Sequence, residues 1–251
     1  MFYSSPRLAA GYLAVWDLEL SHVAEWATHP PLLACRWLHQ PLSKGQDVTF
    51  LGESPTLLVA AGQGAGGRNV AVCDILRPPA VSQVCTLVAH STGATRVEVV
   101  SQGALLLSGG EDGDLMVHDL RMVEAGAAPV MMWLKSRAHS APVTAMALGN
   151  VQGREVWVTG GRDGSLRVWD VRAQELVQAM DQVHSTEARP ASFLLSAFTR
   201  LAAQGPAGAD GGRQGSMIST LCLADEGLIS GGHDGAIKLF PWAPALLSTA
   251  Y

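Results

Sequence analysis

Residues 156–170 read VWVTGGRDGSLRVWD, and this stretch decides the fold. A short apolar run leads to Thr159 and two glycines, and Asp163-Gly164 follows one residue later. A second run of alternating apolar residues then ends in Trp169-Asp170. Asp-Gly between two alternating runs is a strong signal for a β-hairpin. The stretch therefore predicts two antiparallel strands joined by a tight turn.

The same pattern recurs along the chain. Clear copies lie at residues 105–119 (LLLSGGEDGDLMVHD) and 228–240 (LISGGHDGAIKLF), and weaker copies lie at 57–74 and 8–17. A histidine and a further strand-like run precede each clear copy. Another short strand-like run follows a unit, for example CTLVA at 85–89 or VMMWL at 130–134. A unit of about 40–50 residues with four short strands is typical of a propeller blade.

The histidine before each unit and the Trp-Asp at its end resemble the WD40 repeat. The resemblance implies an all-β, WD40-type β-propeller over residues 1–251 with about five recognisable blades of four antiparallel strands. The first blade is incomplete at the N-terminus. Closure with five blades is one alternative, and we favour the last part of a larger, seven-bladed ring. The predicted third strands carry Trp16, Cys73, His118, Trp169 and Phe240.

The resemblance also implies a structural role for the recurring polar residues. In WD40 blades a loop His, a strand Ser or Thr, a turn Asp and a strand Trp form a hydrogen-bonded set. His139, Thr159, Asp163 and Trp169 match all four positions. Two other units match three positions each: His90, Ser108 and Asp112, with His118 in place of Trp, and His184, Ser230 and Asp234, with Phe240 there. We expect these sets to fix loop geometry, because a buried Asp–His pair is costly unless it is satisfied.

The residue before each Asp-Gly is a candidate for partner contact. Glu111, Arg162 and His233 occupy this position in the three clear units, so they are expected on one rim of the propeller. Loops on a rigid scaffold are where recognition concentrates. The alternative for any single one of them is that an exposed turn tolerates any polar residue.

Composition and targeting signals narrow the function classes. The chain is 48% hydrophobic and 16% charged. Its net charge of -5 argues against general electrostatic binding to nucleic acid. Neither a signal peptide nor an apolar run long enough for a membrane span is visible, which predicts a soluble cytoplasmic protein without direct membrane insertion. The four cysteines show no metal-ligand spacing and are predicted to be reduced and buried.

No catalytic, metal or cofactor site is predicted. GQGAGG at 62–67 lacks the Gly-Lys-Ser/Thr ending of a phosphate loop and is interpreted as an enlarged turn. Ser108 and Ser230 lie in Ser-Gly-Gly rather than in a nucleophile elbow. Residues 186–215 are interpreted as an insertion in the last blade, partly mobile, in which residues 191–203 have near-helical apolar spacing.

From residue 33 to 242 the order of features is similar to the C-terminal propeller of the DmX-like (rabconnectin) family, which includes the large subunit of the RAVE complex. The supporting features are Arg68-Asn69-Val70 after the enlarged turn, the loop from His90 to Thr95, and Phe240-Pro241 in place of Trp-Asp. The resemblance implies assembly or regulation of the vacuolar-type proton pump, with peripheral attachment to endomembranes through protein partners.

Two other functions stay open at this point. The first is a generic WD40 adaptor in a ubiquitin ligase, ciliary or trafficking complex. The second, from another class, is an enzyme or small-molecule site in the propeller channel, which no catalytic set supports. Self-association is a further expectation, because an open propeller exposes strand edges, as is the supply of missing blades by a parent chain.

Overall fold

A computed structural model describes residues 13–19, 32–39, 41–52, 54, 56–100, 104–121, 123, 129–151, 153–184 and 215–242. For residues 14–19 and 32–39 it describes only the backbone. The predicted insertion at 186–215 lies outside the described residues except for Gly215, and so does its helical segment at 191–203.

The described residues form seventeen β-strands and two single 3-10 turns, Ala65–Gly67 and Pro79–Val81. The strands are β1 Leu13–Glu19, β2 Leu32–His39, β3 Lys44–Phe50, β4 Leu57–Gln63, β5 Arg68–Asp74, β6 Gln83–Val88, β7 Ala94–Val100, β8 Leu105–Gly110, β9 Leu115–Asp119, β10 Val130–Lys135, β11 Val143–Val151, β12 Arg154–Gly161, β13 Leu166–Asp170, β14 Glu175–Met180, β15 Ile218–Ala224, β16 Gly227–Gly232 and β17 Ile237–Pro241.

These strands form five sheets that follow chain order. The first sheet is β1–β2, and the second is β3–β4–β5–β6. The third sheet contains β7 to β10, the fourth contains β11 to β14, and the fifth contains β15–β16–β17. Each sheet joins strands that are consecutive in the chain. The five sheets correspond to the five predicted units, so the prediction of an all-β fold of repeated antiparallel sheets is confirmed.

The fourth sheet shows why the repeat folds in this way. Thr159 pairs with Arg167 and Trp157 with Trp169 across β12 and β13, so the Asp163-Gly164 turn closes a regular antiparallel hairpin. Gly164 has φ of +73°, a conformation that L side chains rarely adopt and that glycine adopts at no steric cost. Bulges between Val143 and Ala145 and between Val168 and Trp169 interrupt the outer pairings, which increases the local twist of the sheet.

The chain forms two compact units, residues 1–106 with 119–130 and residues 107–118 with 131–251. A buried cluster of the first unit contains Leu42, Ala60, Ala71 and Cys73. The larger cluster of the second unit joins the fourth and fifth sheets, through residues that include Val158, Leu166, Val168, Ile218, Leu228 and Phe240. Whether residues 1–251 make one propeller, and how many blades it has, stay predictions.

The prediction of buried cysteines is wrong in part. Cys73 is buried and Cys85 is half-buried, but Cys222 is exposed on β15. Cys222 lies on the first strand of the fifth sheet, where alternate residues face solvent. Burial raises the pKa of the Cys73 thiol to about 12, with a further contribution from nearby Cys85, and it raises the pKa of Cys85 to about 11. Both thiols are therefore protonated at neutral pH and poor nucleophiles.

Among the described residues, no helix has the length and apolar character needed to cross a membrane.

Candidate functional site

The structure brings His139, Thr159, Asp163 and Trp169 together in the fourth sheet. Nε2 of the buried His139 ring is hydrogen-bonded to Oγ1 of Thr159 at 2.8 Å. The Trp169 Nε1–H group donates to the same Oγ1 at 3.1 Å. On the other side of the ring, Nδ1 of His139 lies 3.4 Å from Oδ1 of Asp163. The threonine hydroxyl therefore links the loop histidine to the strand tryptophan below the surface.

Two serines extend this set. Ser165 Oγ donates to Oδ1 of Asp163 at 2.6 Å and lies 3.0 Å from Nδ1 of His139. The Ser140 N–H group donates to Oδ2 of Asp163 at 2.9 Å, and the Ser140 hydroxyl donates to the same oxygen at 3.2 Å. Each oxygen of the Asp163 carboxylate therefore has protein partners, as a buried charge requires. Neither serine was predicted from the sequence, although Ser140 directly follows His139 and Ser165 directly follows the Asp163-Gly164 turn.

The environment of Asp163 favours its ionised form. Burial alone would raise the pKa of this carboxyl, but the hydrogen bond and electrostatic attraction from the His139 ring, together with Ser165 and the Ser140 N–H group, outweigh burial. The net effect holds the pKa of Asp163 well below its ordinary value. The carboxylate is therefore charged at neutral pH, and its surroundings bind it in place.

The fifth sheet repeats the arrangement with one change. Nδ1 of the buried His184 ring lies 2.8 Å from Oδ1 of Asp234, and Nε2 lies 2.7 Å from Oγ of Ser230. Phe240 is buried where the fourth sheet has a tryptophan, and it has no group that could donate to the serine. Burial would raise the pKa of Asp234, but His184, the Ala236 N–H group and Lys238 lower it on balance.

The third set is divided between the two units. His90 is buried in the first unit, while Ser108 and His118 are buried in the second unit, where Asp112 is half-buried. Asp112 Oδ1 accepts the Asp114 N–H group at 3.2 Å, so this turn closes in the same way as the turn at Asp163.

Backbone hydrogen bonds link two of the three Asp-Gly turns, those at Gly113 and Gly164, to the loop that leads into the next sheet. The Gly113 carbonyl accepts the His139 N–H group at 3.0 Å. The Gly164 carbonyl accepts the Val183 N–H group at 2.7 Å and the His184 N–H group at 3.3 Å. A Cβ atom on Gly113 would lie 2.3 Å from the His139 carbonyl oxygen, so only glycine fits there. The turn of one sheet thus also holds the loop that leads into the next sheet.

Asn69 performs this linking role where the Asp-Gly turn is absent. The turn after β4 is enlarged as predicted, with Gly66 and Gly67 at positive φ. The buried Asn69 amide oxygen accepts the Ala89 and His90 N–H groups at 3.0 and 3.2 Å, and its Nδ2 donates to the His90 carbonyl. A polar residue next to an enlarged glycine turn was the only sequence signal for this role.

The three predicted contact residues occupy equivalent turns of the second unit. Arg162 and His233 are exposed, and Glu111 is half-buried. The Arg162 N–H group donates to the Pro142 carbonyl, and the His233 N–H group donates to the Met217 carbonyl, each at 2.9 Å. Each of these two turns is therefore attached to the start of the first strand of its own sheet. The side chain of Arg162 is exposed on the turn, directly before Asp163 in the chain.

Three tryptophans outside this set have described side chains: Trp133, Trp157 and Trp242. Trp133 on β10 contacts Trp157 and Trp169 edge-on, with ring centroids 6.4 and 5.7 Å apart. Trp157 and Trp242 are buried. The Trp16 and Trp37 side chains and all of Trp26 lie outside the described residues.

The pKa of Glu98, a carboxyl group outside the sets, is raised. Glu98 lies on β7, near Asp47 of β3, whose carboxylate accepts the Val97 N–H group at 3.1 Å. Burial raises the pKa of Glu98 to about 7, and the charge of Asp47 adds to the increase despite the opposing charge of Arg96. In the described part of the chain, no three His, Cys, Asp or Glu side chains are placed to hold a metal ion.

Comparison with known proteins agrees with the repeat geometry. The family described as WD domain, G-beta repeat matches residues 81–119 and 133–170. The chain contains WD40 repeats. It is 28% identical to mouse (Mus musculus) DmX-like protein 1 over 71% of its own length, but it spans only 6% of that protein. It is 30% identical to rat (Rattus norvegicus) transducin beta-like protein 3 over 46% of this chain and 16% of that one.

A solved structure shares the fold. The computationally designed Ika8 protein superposes with a TM-score of 0.52 and 22% identity, over 81% of this chain and 47% of that chain. The similarity to DmX-like protein 1 agrees with the family resemblance found in the sequence. Together, the repeats and these relatives support a protein-interaction scaffold.

Proposed function

We propose that this chain is a protein-binding scaffold that acts in the assembly or regulation of the vacuolar-type proton pump, from the cytosolic side of endomembranes. The scaffold role rests on the repeats. The pump-specific role rests on the similarity to DmX-like protein 1, which covers 71% of this chain. No reaction is proposed, and binding of protein partners is the whole of the proposed activity.

The observation that carries the proposal is the turn rim, defined as the exposed Arg162 and His233 together with the half-buried Glu111. Each residue directly precedes an Asp-Gly turn, and the turns at Arg162 and His233 rest on the buried His–Asp pairs beneath them. A rigid turn presents its side chain to a partner with little loss of conformational entropy. Arg162 is the best single contact candidate, because an exposed guanidinium forms bidentate hydrogen bonds with carboxylates. We therefore expect a partner segment with acidic residues.

The buried sets themselves are proposed to be structural. His139 and His184 have both ring nitrogens engaged with side chains of their own sheets, which leaves neither ring available for proton transfer to a substrate. Their proposed role is to hold the turn rim in position.

The proposal is tested by affinity purification of the tagged full chain from its own cells, followed by mass spectrometry. We expect proton-pump subunits in the eluate of the wild-type chain, and Arg162→Glu should reduce their recovery severalfold because it reverses a charge on the turn rim. Arg172→Glu is the matched control, since it makes the same charge change in the connection between β13 and β14, at the opposite end of the fourth sheet.

Each outcome bears on a different part of the proposal. If an unrelated complex is recovered, and is lost with Arg162→Glu only, the scaffold role stands and the pump assignment is wrong. If Arg162→Glu and Arg172→Glu behave alike, the turn rim is not the binding surface. Both variants should keep nearly the wild-type melting temperature, because both side chains are exposed and the ion pair of Arg172 with Glu155, at 3.6 Å, is a surface pair that contributes little stability.

A further inference from the structure

A serine follows the loop histidine in each of the three clear units, and one of these serines has basic residues before it. The pairs are His90-Ser91, His139-Ser140 and His184-Ser185. The segment that leads to Ser140 reads KSRAHS, with Lys135 and Arg137 on its N-terminal side. Many protein kinases select a serine by basic residues placed in this way, because acidic groups of the kinase pair with them.

Among the described residues, Ser140 is the exposed serine with an arginine three positions before it. Both Ser140 and Arg137 are exposed. An arginine stands at the same distance before Ser165 and Ser216, but both of these serines are buried. Ser192 has the same spacing and lies outside the described residues. Sequence and accessibility therefore coincide at Ser140.

The loop that carries Ser140 joins β10 to β11 and is attached by a few hydrogen bonds. The N–H groups of Arg137 and His139 donate to Oδ1 of Asp114 at 2.7 Å and to the Gly113 carbonyl at 3.0 Å. Arg137 has φ of +52°, which L residues rarely adopt, so release of the loop relieves backbone strain. Such segments open at a lower free energy than the whole fold, and a kinase binds the open segment.

The Ser140 hydroxyl is bonded to a charged group of the neighbouring turn. It donates to Oδ2 of Asp163 at 3.2 Å, and the Ser140 N–H group donates to the same oxygen at 2.9 Å. The pKa of Asp163 is held well below its ordinary value, so this carboxylate stays ionised at neutral pH. A phosphate on Ser140 would carry a charge of about -1.5 to -2 at pH 7. Modification therefore replaces a hydrogen bond by repulsion between two anions.

The turn closed by Asp163 also carries Arg162. The Arg162 N–H group donates to the carbonyl of Pro142, in the same loop as Ser140, at 2.9 Å. These residues all belong to the second compact unit. Repulsion at Ser140 therefore acts on the loop to which this turn is attached.

We propose that Ser140 is a phosphorylation site for a kinase that selects preceding basic residues, and that the phosphate loosens the turn at Asp163. The γ-phosphoryl group of ATP passes to Oγ of Ser140. A new O–P bond forms, the bond from the γ-phosphorus to the bridging oxygen breaks, and ADP and the hydroxyl proton leave. The site and its effect on stability do not depend on the pump assignment. An effect on partner binding through Arg162 rests on the proposed function.

Phosphorylation of the purified full chain tests the site. The probe is the catalytic subunit of cyclic-AMP-dependent protein kinase with ATP and Mg²⁺, and mass spectrometry maps the modified serines. We expect modification at Ser140, and Arg137→Gln should slow it on the order of tenfold or more because the kinase loses a charge to pair with. Ser91 is the matched control, since it is exposed and has Val88 at the position of Arg137.

The site is overturned if Ser140 stays unmodified, if Arg137→Gln reacts at the wild-type rate, or if Ser91 is modified equally. Ser140→Ala confirms the mapping, because it removes the acceptor oxygen and keeps the backbone hydrogen bond to Asp163.

Melting temperatures test the consequence in the absence of any partner, in a Ser192→Ala chain. Phosphorylation of Ser140 should lower the melting temperature by several degrees. The decrease should be much smaller in Asp163→Asn, because a neutral amide does not repel the phosphate. Ser140→Asp should also melt below Ser140→Asn, which measures the charge effect if Asp163→Asn does not fold. An unchanged or higher melting temperature, or equal decreases with Asp163 and with Asn at this position, overturns the loosening of the turn.

Discussion

The fourth and fifth sheets of this chain share a motif and differ in their neighbours. Both have a loop histidine bonded to a turn aspartate and to a strand hydroxyl, through His139 in one and His184 in the other. The fourth sheet is covered by the fifth, so Leu166 is buried, whereas Ile237 at the equivalent position is exposed. The motif therefore fixes the hydrogen bonds within a sheet, and burial of the apolar face depends on the next sheet.

The largest expected effect comes from removing the covered apolar residue. Leu166→Ala should lower the free energy of unfolding by about 2–5 kcal/mol, because it leaves a cavity in the cluster shared by the two sheets. Ile237→Ala should change it by less than about 0.5 kcal/mol in dilute, monomeric protein. Chemical denaturation of both variants measures the contrast. Equal losses would mean that β17 is covered in solution.

The next effect comes from the turn aspartates. Asp163→Ala should cost about 1–3 kcal/mol, because His139, Ser140 and Ser165 lose their shared acceptor. Asp234→Ala should cost less, since Asp234 makes no side-chain contact with a serine like that of Asp163 with Ser165 among the described residues. If Asp163→Ala leaves the melting temperature unchanged, the structural role assigned to the buried set is wrong.

The same substitution predicts a pH dependence. The folded-state pKa of Asp163 is lowered, so its ionised form adds stability that is complete above the unfolded value of about 3.9. That stability is lost as the pH falls through the folded-state value. The difference in melting temperature between wild type and Asp163→Asn should therefore be constant near neutral pH and should shrink below about pH 4. A difference that grows on acidification would contradict this sign.

The smallest effect concerns the tryptophan that distinguishes the two sets. Trp169→Phe makes the fourth sheet resemble the fifth and removes the Nε1–H donor to Thr159. The expected loss in the free energy of unfolding is about 0.5–1.5 kcal/mol from the hydrogen bond. Lost contacts with Trp133 would add to this loss. Thr159→Ala in the Trp169→Phe background separates the two contributions by a double-mutant cycle. No coupling between the substitutions would show that the bond contributes nothing.

Much of the fold could be predicted from the sequence because its signals are local. Asp163-Gly164 between alternating runs specifies a hairpin, and repetition of that hairpin with a preceding histidine specifies the unit. The partners of His139 were predictable because its unit matches all four positions of the hydrogen-bonded set that the WD40 resemblance implies. Ser140, Ser165 and Asn69 were not, because a small polar residue near a turn has many possible partners and no recurring spacing.

The exposed Cys222 shows a similar limit. A cysteine in an apolar run predicts burial, yet Cys222 faces solvent because it lies on the side of β15 that no described strand covers. Alternation assigns a residue to one of two faces of a strand, but it does not say which face is covered.

The sequence by itself determined the all-β class, the hairpins and the buried His–Asp sets, because these depend on residues within one unit and on turn geometry. The tertiary structure alone decided which apolar strands are covered. Leu166-Arg167-Val168 and Ile237-Lys238-Leu239 have the same alternation, and only the neighbouring sheet makes the first pair part of a core and leaves the second exposed. Burial of apolar surface is a property of two packed surfaces, and one strand encodes only one of them.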